Sequence, residues 1–135
     1  MEQEDFAATL DSLAICKFLR RCFADLYAEG SELYRLATGL DFSADDLRRV
    51  GERVTNLKKS FNIREGWTRA DDWLPPRLLQ EALPTGVAAG QRLTPAELTL
   101  MIDSYYAARG WTTEGLIPEE KLAQLGLEDL ARVPA

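Results

Sequence analysis

Apolar side chains recur every three or four positions over much of the chain, a spacing typical of amphipathic helices. The first such stretch runs from about Phe6 to Ala28, and Gly30 is expected to break it. A short second helix is predicted over Glu32–Ala37, ending at Gly39. The first stretch should bury one stripe made of Ile15, Phe18, Leu19, Cys22, Phe23 and Leu26.

The clearest helical pattern follows Ser43, whose hydroxyl suits the N-cap position. Along this helix, apolar residues recur every three or four positions, at Leu47, Val50, Val54, Leu57 and Phe61. The period is lost after that, so residues 62–77 are predicted to form a long ordered loop that ends at Pro75-Pro76. A short helix over Arg77–Ala82 and a connector rich in proline and glycine should follow.

The segment Thr94-Pro95-Ala96-Glu97 combines a capping box with proline at the first helical position. The helix that it starts should stop at Gly110, with Leu98, Met101, Ile102 and Tyr105 directed inward. Pro118 can begin a last helix, which contains Leu122 and Leu125. Because no segment alternates as a strand does, the prediction is an all-α fold: a compact bundle of about five to six helices, with residues 1–135 in a single helical domain.

Composition narrows the possible partners. The 135 residues are 46% hydrophobic and 28% charged, as expected of a globular protein, and the net charge is −6. A negative chain is a poor partner for a nucleic-acid backbone or an anionic membrane. No run of 18 apolar residues occurs, and the opening Met-Glu-Gln-Glu-Asp is acidic. We therefore expect no nucleic acid and no membrane as partner, and a cytoplasmic location.

The chain has no histidine and two cysteines. A Ser-His-Asp or Cys-His nucleophile system cannot be built from it, nor a histidine-ligated zinc site. Two cysteines cannot complete a four-thiolate cluster alone. Cys16 and Cys22 are six positions apart, about 240° around a helix, so they are not expected to form a disulfide.

Cys16 and Asp11 could take part in a functional site, and each also has a purely structural explanation; Cys22 has only the structural one. Cys22 falls in the middle of the predicted stripe and is best explained as a small buried hydrophobe. Cys16 lies at the stripe's edge. Geometry alone favours a buried cysteine without a function there, and the alternative is that it presents its sulfur to a docked group. Asp11 could be a helix cap or solvated carboxylate, or it could accept hydrogen bonds from an amine-rich heterocycle. A ligand shared by Asp11 and Cys16 requires non-helical backbone around Ser12–Ala14.

The loop also concentrates carboxylates. Glu65 with Asp71 or Asp72 could form an acid–base pair. The favoured interpretation is structural: these carboxylates pair with Arg64, Arg69 and Arg77 to hold a long loop, and the tryptophans Trp67 and Trp73 supply packing area.

One octapeptide resembles a known motif: Asp11-Ser12-Leu13-Ala14-Ile15-Cys16-Lys17-Phe18 is similar to the Asp-x-x-Gly-Leu/Ile-Cys motif of the aldehyde ferredoxin oxidoreductase family. These are tungsten, occasionally molybdenum, enzymes that oxidise aldehydes to carboxylic acids and pass electrons to ferredoxin. The resemblance continues through the blocks Gly51-Glu52-Arg53, Phe61-Asn62, Arg64-Glu65-Gly66-Trp67, Asp71-Asp72, Tyr105-Tyr106, Arg109-Gly110-Trp111 and Glu120-Lys121-Leu122. It covers nearly the whole chain and matches the C-terminal, mostly helical region of such an enzyme.

The resemblance implies specific roles. Cys16 would be the fourth thiolate of a 4Fe–4S cluster, and Asp11, Ala14 and Ile15 would contact the bis-pterin of the tungsten or molybdenum cofactor, with Asp11 as hydrogen-bond acceptor. Ala14 stands where the motif usually has glycine. The other three thiolates would come from a Cys-x-x-Cys-x-x-x-Cys run that this sequence lacks.

The family's N-terminal β-rich cofactor domain and its catalytic Glu and His also lie outside this sequence. The implied partners are that domain or a subunit carrying it, ferredoxin, and an aldehyde substrate. We expect a fragment or a separately expressed part, inactive when isolated. The alternative is a non-catalytic helical protein–protein interaction module with Cys16 fully buried. The enzyme hypothesis places Cys16 near the surface.

Overall fold

The computed structural model describes residues 1–129, which form helices and loops without any strand. The six α-helices are α1 Glu2–Ser12, α2 Leu26–Thr38, α3 Ala44–Arg64, α4 Pro76–Gln80, α5 Pro95–Arg109 and α6 Glu119–Gln124. Two short 3₁₀ helices occupy Lys17–Arg21 and Arg69–Asp72. The predicted all-α class and the number of helices are confirmed. Within the same residues, no helix is both long and apolar enough to cross a membrane.

The chain divides into two compact units. Among the described residues, the first contains Met1–Phe61 and residues 119–129, and the second contains Asn62–Pro118. The expectation of a single domain over residues 1–135 stays a prediction.

In the first unit, α1 and α3 cross in close contact at Gly51. A Cβ atom at Gly51 would lie 2.4 Å from the carbonyl oxygen of Asp5, so only hydrogen fits there. The Thr9 hydroxyl, fully buried, donates to the Asp5 carbonyl at 2.9 Å and approaches the Leu47 carbonyl of α3 at 3.3 Å. The Thr55 hydroxyl donates to the Asp5 carboxylate at 3.0 Å. The crossing therefore fixes α1, and with it the direction in which its C-terminal end points.

The α2 helix passes through Gly30, so the predicted helix break at that residue is wrong. The helix starts at the N-cap Asp25, whose carboxylate accepts two backbone N–H groups of the first turn. A Cβ at Gly30 would meet Leu13 Cδ1 at 3.1 Å and Leu47 Cδ1 at 3.2 Å. The glycine therefore permits close packing within the unit. Gly39, in the left-handed conformation with φ 75°, ends the helix as predicted.

The predicted helix from Phe6 to Ala28 is also wrong. The chain leaves the helical conformation after Ser12, forms the 3₁₀ helix, and becomes α-helical again only at Leu26. The expected buried stripe is broken as a result: Phe18 is 90% exposed and Cys22 is exposed. Apolar residues continue at helical spacing through this break, so their period gave no sign of it.

The second unit is built around α5. Its core consists of Leu79, Leu98, Ile102, Tyr106 and Trp111. The predicted capping box is confirmed, because the Thr94 hydroxyl accepts from the Glu97 N–H at 3.2 Å and the Glu97 carboxylate accepts from the Thr94 N–H at 2.8 Å. The helix ends before Gly110, as predicted. Met101 is an exception: it was expected to point inward and is 58% exposed.

Residues 62–77 contain more helix than predicted. The α3 helix continues to Arg64, the 3₁₀ helix Arg69–Asp72 interrupts the loop, and α4 begins at Pro76. The short helix expected over Arg77–Ala82 is therefore present but begins one residue earlier and ends at Gln80. In the first unit the last predicted helix is present as α6. Leu122 lies in it, but Leu125 follows its last residue, Gln124, and both leucines are buried.

Candidate functional site

The turn that follows α1 is a Schellman-type helix end. The Ala14 N–H donates to the Asp11 carbonyl at 3.1 Å, and the Ile15 N–H donates to the Leu10 carbonyl at 2.9 Å. These two bonds and a left-handed residue between them define the motif. The backbone is therefore non-helical after Ser12, as a ligand shared by Asp11 and Cys16 requires.

Ala14 occupies the left-handed position, with φ 55°. Among residues 1–129 it is the one residue other than glycine with a positive φ. The left-handed conformation costs an L-residue about 1–2 kcal/mol because Cβ approaches the following carbonyl oxygen. Glycine avoids this cost, which gives a physical reason for glycine at this position of the resembling motif. Ala14 is exposed.

Cys16 lies four residues beyond Ser12, the last residue of α1, in extended backbone with φ −61° and ψ 131°. Its carbonyl accepts the Leu19 N–H at 2.8 Å and so starts the 3₁₀ helix Lys17–Arg21. Its side chain is exposed. The alternative in which Cys16 is fully buried is therefore wrong. Its side chain is exposed, and hydrogen bonds fix the backbone both before it, in the Schellman turn, and after it, in the 3₁₀ helix.

Asp11 is half-exposed and lies in the last turn of α1, so it does not cap the start of a helix. Its carboxylate forms an ion pair with Lys17, at 3.3 Å between Oδ2 and Nζ. Exposed pairs of this kind contribute at most about 1 kcal/mol. The ion pair bridges the turn but is weak, so the Asp11 carboxylate can exchange Lys17 for another hydrogen-bond donor with little loss of free energy.

The carboxylates of the loop region have structural partners. Asp71 accepts from the Thr68 N–H and hydroxyl, each at 2.8 Å, and these bonds hold the pKa of Asp71 below its usual value. Glu65 pairs with Arg64 at 3.0 Å, as predicted. Arg69 pairs with Asp103 at 2.6 Å, although a partner within the loop was expected.

Asp72 joins two aromatic side chains in the second unit. It accepts from Trp67 Nε1 at 2.8 Å and from the Tyr106 hydroxyl. Burial, followed by the hydrogen bond to Asp72, raises the pKa of Tyr106 well above its usual value. Tyr106 therefore remains a proton donor to Asp72 at every physiological pH. An acid–base pair of Glu65 with Asp71 or Asp72 has no support in this geometry.

Comparison with known proteins identifies the family. The family model "Aldehyde ferredoxin oxidoreductase, domains 2 & 3" matches residues 1–127. The chain belongs to the aldehyde ferredoxin oxidoreductase family. Tungsten-containing aldehyde ferredoxin oxidoreductases from Pyrococcus horikoshii and Thermococcus kodakarensis are 39% and 35% identical to it over 128 and 131 residues. Both alignments cover 93% of this chain and 20% of the relative. The chain thus spans about a fifth of the length of these relatives.

Two more distant matches extend the comparison. The "Aliphatic sulfonate oxidoreductase, WOR-like subunit" of Pyrococcus furiosus is 28% identical over 132 residues, again 93% of this chain and 20% of the relative. Among solved structures, the active site complex BamBC of benzoyl coenzyme A reductase, determined with 1,5-dienoyl-CoA, has a TM-score of 0.62 at 24% identity. That match covers 78% of this chain and 14% of the other, and at this identity it shows the fold alone.

The relatives are tungsten-containing enzymes of the aldehyde ferredoxin oxidoreductase family. In residues 1–129, no group of three or more His, Cys, Asp or Glu side chains could hold a metal ion. A 4Fe–4S cluster takes four thiolates. Cys16, an exposed thiol in a backbone fixed by two turns, fits the role of one such ligand in a shared centre. The half-exposed Asp11 carboxylate likewise fits an acceptor for pterin N–H groups.

Sequence reasoning missed one further feature of this chain. A groove of about 660 Å³ in the second unit lies between α4, the connector after it and the start of α5. Its walls are mainly aliphatic, and they include Leu74, Leu78, Leu83 and Leu93. The connector residues showed no periodic pattern from which an apolar wall could have been predicted.

Proposed function

We propose that this chain serves as the C-terminal part of a tungsten-dependent, or molybdenum-dependent, aldehyde:ferredoxin oxidoreductase. In this proposal the Cys16 thiolate is the fourth ligand of a 4Fe–4S cluster, and Asp11, Ala14 and Ile15 contact the pterin. The single observation that carries it is the exposed Cys16 beside a Schellman turn, in a chain whose family is established.

The chain's own residues position two cofactors on one short segment. The Asp11 carboxylate accepts hydrogen bonds from pterin N–H groups, for which it gives up its pair with Lys17. The two Schellman hydrogen bonds fix the backbone conformation at Ala14 and Ile15, so they also fix the position of Cys16 in space relative to Asp11. When bound at these residues, the tungsten bis-pterin would supply the two-electron oxidation chemistry, and the cluster ligated by Cys16 would supply one-electron transfer.

The proposal assigns the remaining parts to another polypeptide segment or subunit. The three other cluster thiolates, the binding of the aldehyde and the catalytic acid–base groups would come from the N-terminal cofactor domain, and ferredoxin would receive the electrons. In isolation the 135-residue chain is expected to hold no intact cluster and to oxidise no aldehyde, because a cluster held by one thiolate is not stable.

The experiment compares the chain's two exposed cysteines. The chain is co-expressed with a polypeptide that carries the Cys-x-x-Cys-x-x-x-Cys run, and iron per complex and the electron paramagnetic resonance signal of the reduced cluster are measured. Cys16→Ser should lose the four-iron signal, whereas Cys22→Ser should keep it. Equal iron content in the two variants would refute the role of Cys16.

Asp11 has its own test in the same complex. Asp11→Asn keeps the size of the side chain and removes its charge, so it should lower pterin and tungsten content while the cluster signal persists. Asp45→Asn, a change to another exposed carboxylate, is the control. Unchanged tungsten in Asp11→Asn would remove this residue from the proposed site.

A further inference from the structure

The turn that carries the candidate site has few side chains to hold it against the rest of the first unit. Among residues 11–22, every side chain is exposed except those of Leu13 and Ile15, which are half-buried. The backbone hydrogen bonds of the turn run from the N–H groups of residues 13–15 to carbonyls of residues 9–11. These bonds tie the turn to the end of α1 alone, and helix ends fray. A contact from outside α1 is needed to keep the turn in one place.

Leu13 makes such a contact. A Cβ atom added to Gly30 of α2 would lie 3.1 Å from Leu13 Cδ1, 3.2 Å from Leu47 Cδ1 and 3.9 Å from Leu26 Cδ1. Gly30, Leu26 and Leu47 are all buried. One methyl group of Leu13 therefore packs into the space that opens because Gly30 has no side chain. We call this space, formed by Gly30, Leu26 and Leu47, the Gly30 notch.

The fit between Leu13 and the notch depends on the size of both. An added Cβ would come closer to Leu13 than the 3.4 Å at which ordinary contacts begin, so a methyl group at Gly30 would push Leu13 outward. A shorter side chain at position 13 would leave the notch partly empty, and such a cavity is unfavourable. The separation of α1 and α3 is set independently of Leu13, because the buried Thr9 hydroxyl approaches the Leu47 carbonyl at 3.3 Å. Leu13 therefore meets a notch whose place is already fixed.

We propose that Leu13 is a positioning residue of the candidate site: by packing into the Gly30 notch, it holds the turn from Asp11 to Cys16 at one place on the first unit. The proposal rests on the proposed function, because the groups that Leu13 positions are the Asp11 carboxylate and the Cys16 thiolate. Leu13 itself contacts no cofactor and acts through the backbone of the turn. A ligand whose supporting contacts are loose by about 1 Å no longer holds a productive geometry.

The first test needs no cofactor. Amide hydrogen exchange in the 135-residue chain reports local opening of the turn at the Ile15 N–H, which donates to the Leu10 carbonyl at 2.9 Å. Leu13→Ala should speed exchange of this amide about tenfold or more, because the turn then opens without leaving a packed side chain behind. The control Leu122→Ala makes the same change at a buried leucine of α6 and should speed it less than about twofold. A wild-type rate in Leu13→Ala, or an equal effect of the control, would overturn the proposal.

An exchange of size between the two partners tests the notch itself, with milder changes than Leu13→Ala. Leu13→Val shortens the side chain that enters the notch, and Gly30→Ala adds a methyl group inside it. Each change alone should speed exchange at the Ile15 amide. The two together nearly conserve the packed volume, so the double variant should return to within about threefold of the wild-type rate. If the effects of the two changes simply multiply, Leu13 does not act through the notch and the proposal is wrong.

The second test asks whether this positioning matters to the ligand, in the complex with the polypeptide that carries the Cys-x-x-Cys-x-x-x-Cys run. Groups that orient metal ligands change metal affinity about 10–100-fold, so Leu13→Ala should lower iron per complex at least about twofold and alter the electron paramagnetic resonance signal of the reduced cluster. Leu122→Ala should keep both.

Wild-type iron and an unchanged signal in Leu13→Ala, or an equal loss in Leu122→Ala, would contradict the positioning role. Failure of the proposed function has a different signature: Cys16→Ser would keep its iron, while hydrogen exchange at Ile15 would still respond to Leu13→Ala and to the exchange of size.

Discussion

The close approach of α1 and α3 at Gly51 leads to a prediction about Gly51→Ala. The added Cβ would lie 2.4 Å from the Asp5 carbonyl oxygen and 2.8 Å from the Thr9 hydroxyl. Since ordinary contacts begin near 3.4 Å, α1 would have to move by about 1 Å. A backbone carbonyl cannot rotate away as a side chain can, so the strain falls on the packing of the two helices.

The magnitude follows from three contributions. Overpacking costs about 1–3 kcal/mol. A shift of α1 would also weaken the hydrogen bonds from Thr9 to Leu47 and from Thr55 to Asp5, each worth about 1 kcal/mol. Against these, alanine in a helix interior is favoured over glycine by about 1 kcal/mol. The expected loss is therefore about 2–4 kcal/mol, a large part of the roughly 5–15 kcal/mol typical of a domain.

The assay is urea unfolding followed by circular dichroism, with Gly30→Ala as the matched control. At Gly30 the new Cβ would meet two leucine methyl groups at 3.1 and 3.2 Å, and these can move. The control should therefore change the free energy of unfolding by no more than about 1 kcal/mol in either direction. Wild-type stability for Gly51→Ala, or a greater loss for Gly30→Ala, would refute the reasoning from close helix approach.

Three further predictions concern other parts of the chain. Ala14→Gly should raise the free energy of unfolding in urea by about 0.5–1 kcal/mol, because glycine adopts a positive φ without strain. The control Ala28→Gly lies in helix α2 and should lower the free energy of unfolding by a similar amount. A loss of stability in both variants would contradict the assigned turn. Tyr106→Phe should lower the free energy of unfolding by about 1.5–3 kcal/mol, because it removes a hydrogen bond to the Asp72 carboxylate. The control Tyr34→Phe should leave stability nearly unchanged. Equal melting temperatures of the two variants would count against the hydrogen bond to Asp72. Glu97 has a pKa below its usual 4.5 because it accepts from the Thr94 hydroxyl and N–H, so its contribution to stability is present above about pH 4.5 and is lost as the pH falls through the lower folded value. The melting temperature of Glu97→Gln should consequently fall less between pH 5 and pH 3 than that of the wild type, and parallel curves would show that the cap does not titrate as stated.

The parts of the fold that could be predicted from the sequence are those fixed by local chemistry. The α5 helix has a hydroxyl and a carboxylate three residues apart, with proline between them, and its start was predicted correctly. The start of α3 after Ser43 was predicted for the same kind of reason, since the Ser43 hydroxyl accepts from Asp46 N–H at 3.1 Å.

The errors arose where one residue type serves two purposes. Gly30 was expected to end a helix, but it serves close packing between helices, and a single sequence does not distinguish the two uses. The break after Ser12 was missed because Ala14, a good helix former, occupies a left-handed position. The exposure of Cys22 followed from the same error, because its predicted burial assumed a continuous helix.

The backbone shape of the candidate site could be predicted only in part, and the roles of its residues stay predictions. Asp11 and Cys16 were selected together on the condition of non-helical backbone between them, and the structure has that backbone. The ion pair from Lys17 to Asp11 was not foreseen, because it depends on the turn that brings a residue six positions later back to the helix end.

The left-handed alanine has a consequence for chemical synthesis of this protein. A D-amino acid prefers the mirror-image region of backbone space, so D-alanine at position 14 would adopt the observed φ without steric cost and would keep the methyl group. Comparison of the two mirror-image residues would therefore separate the energy stored in the backbone at this bend from any contact made by its side chain.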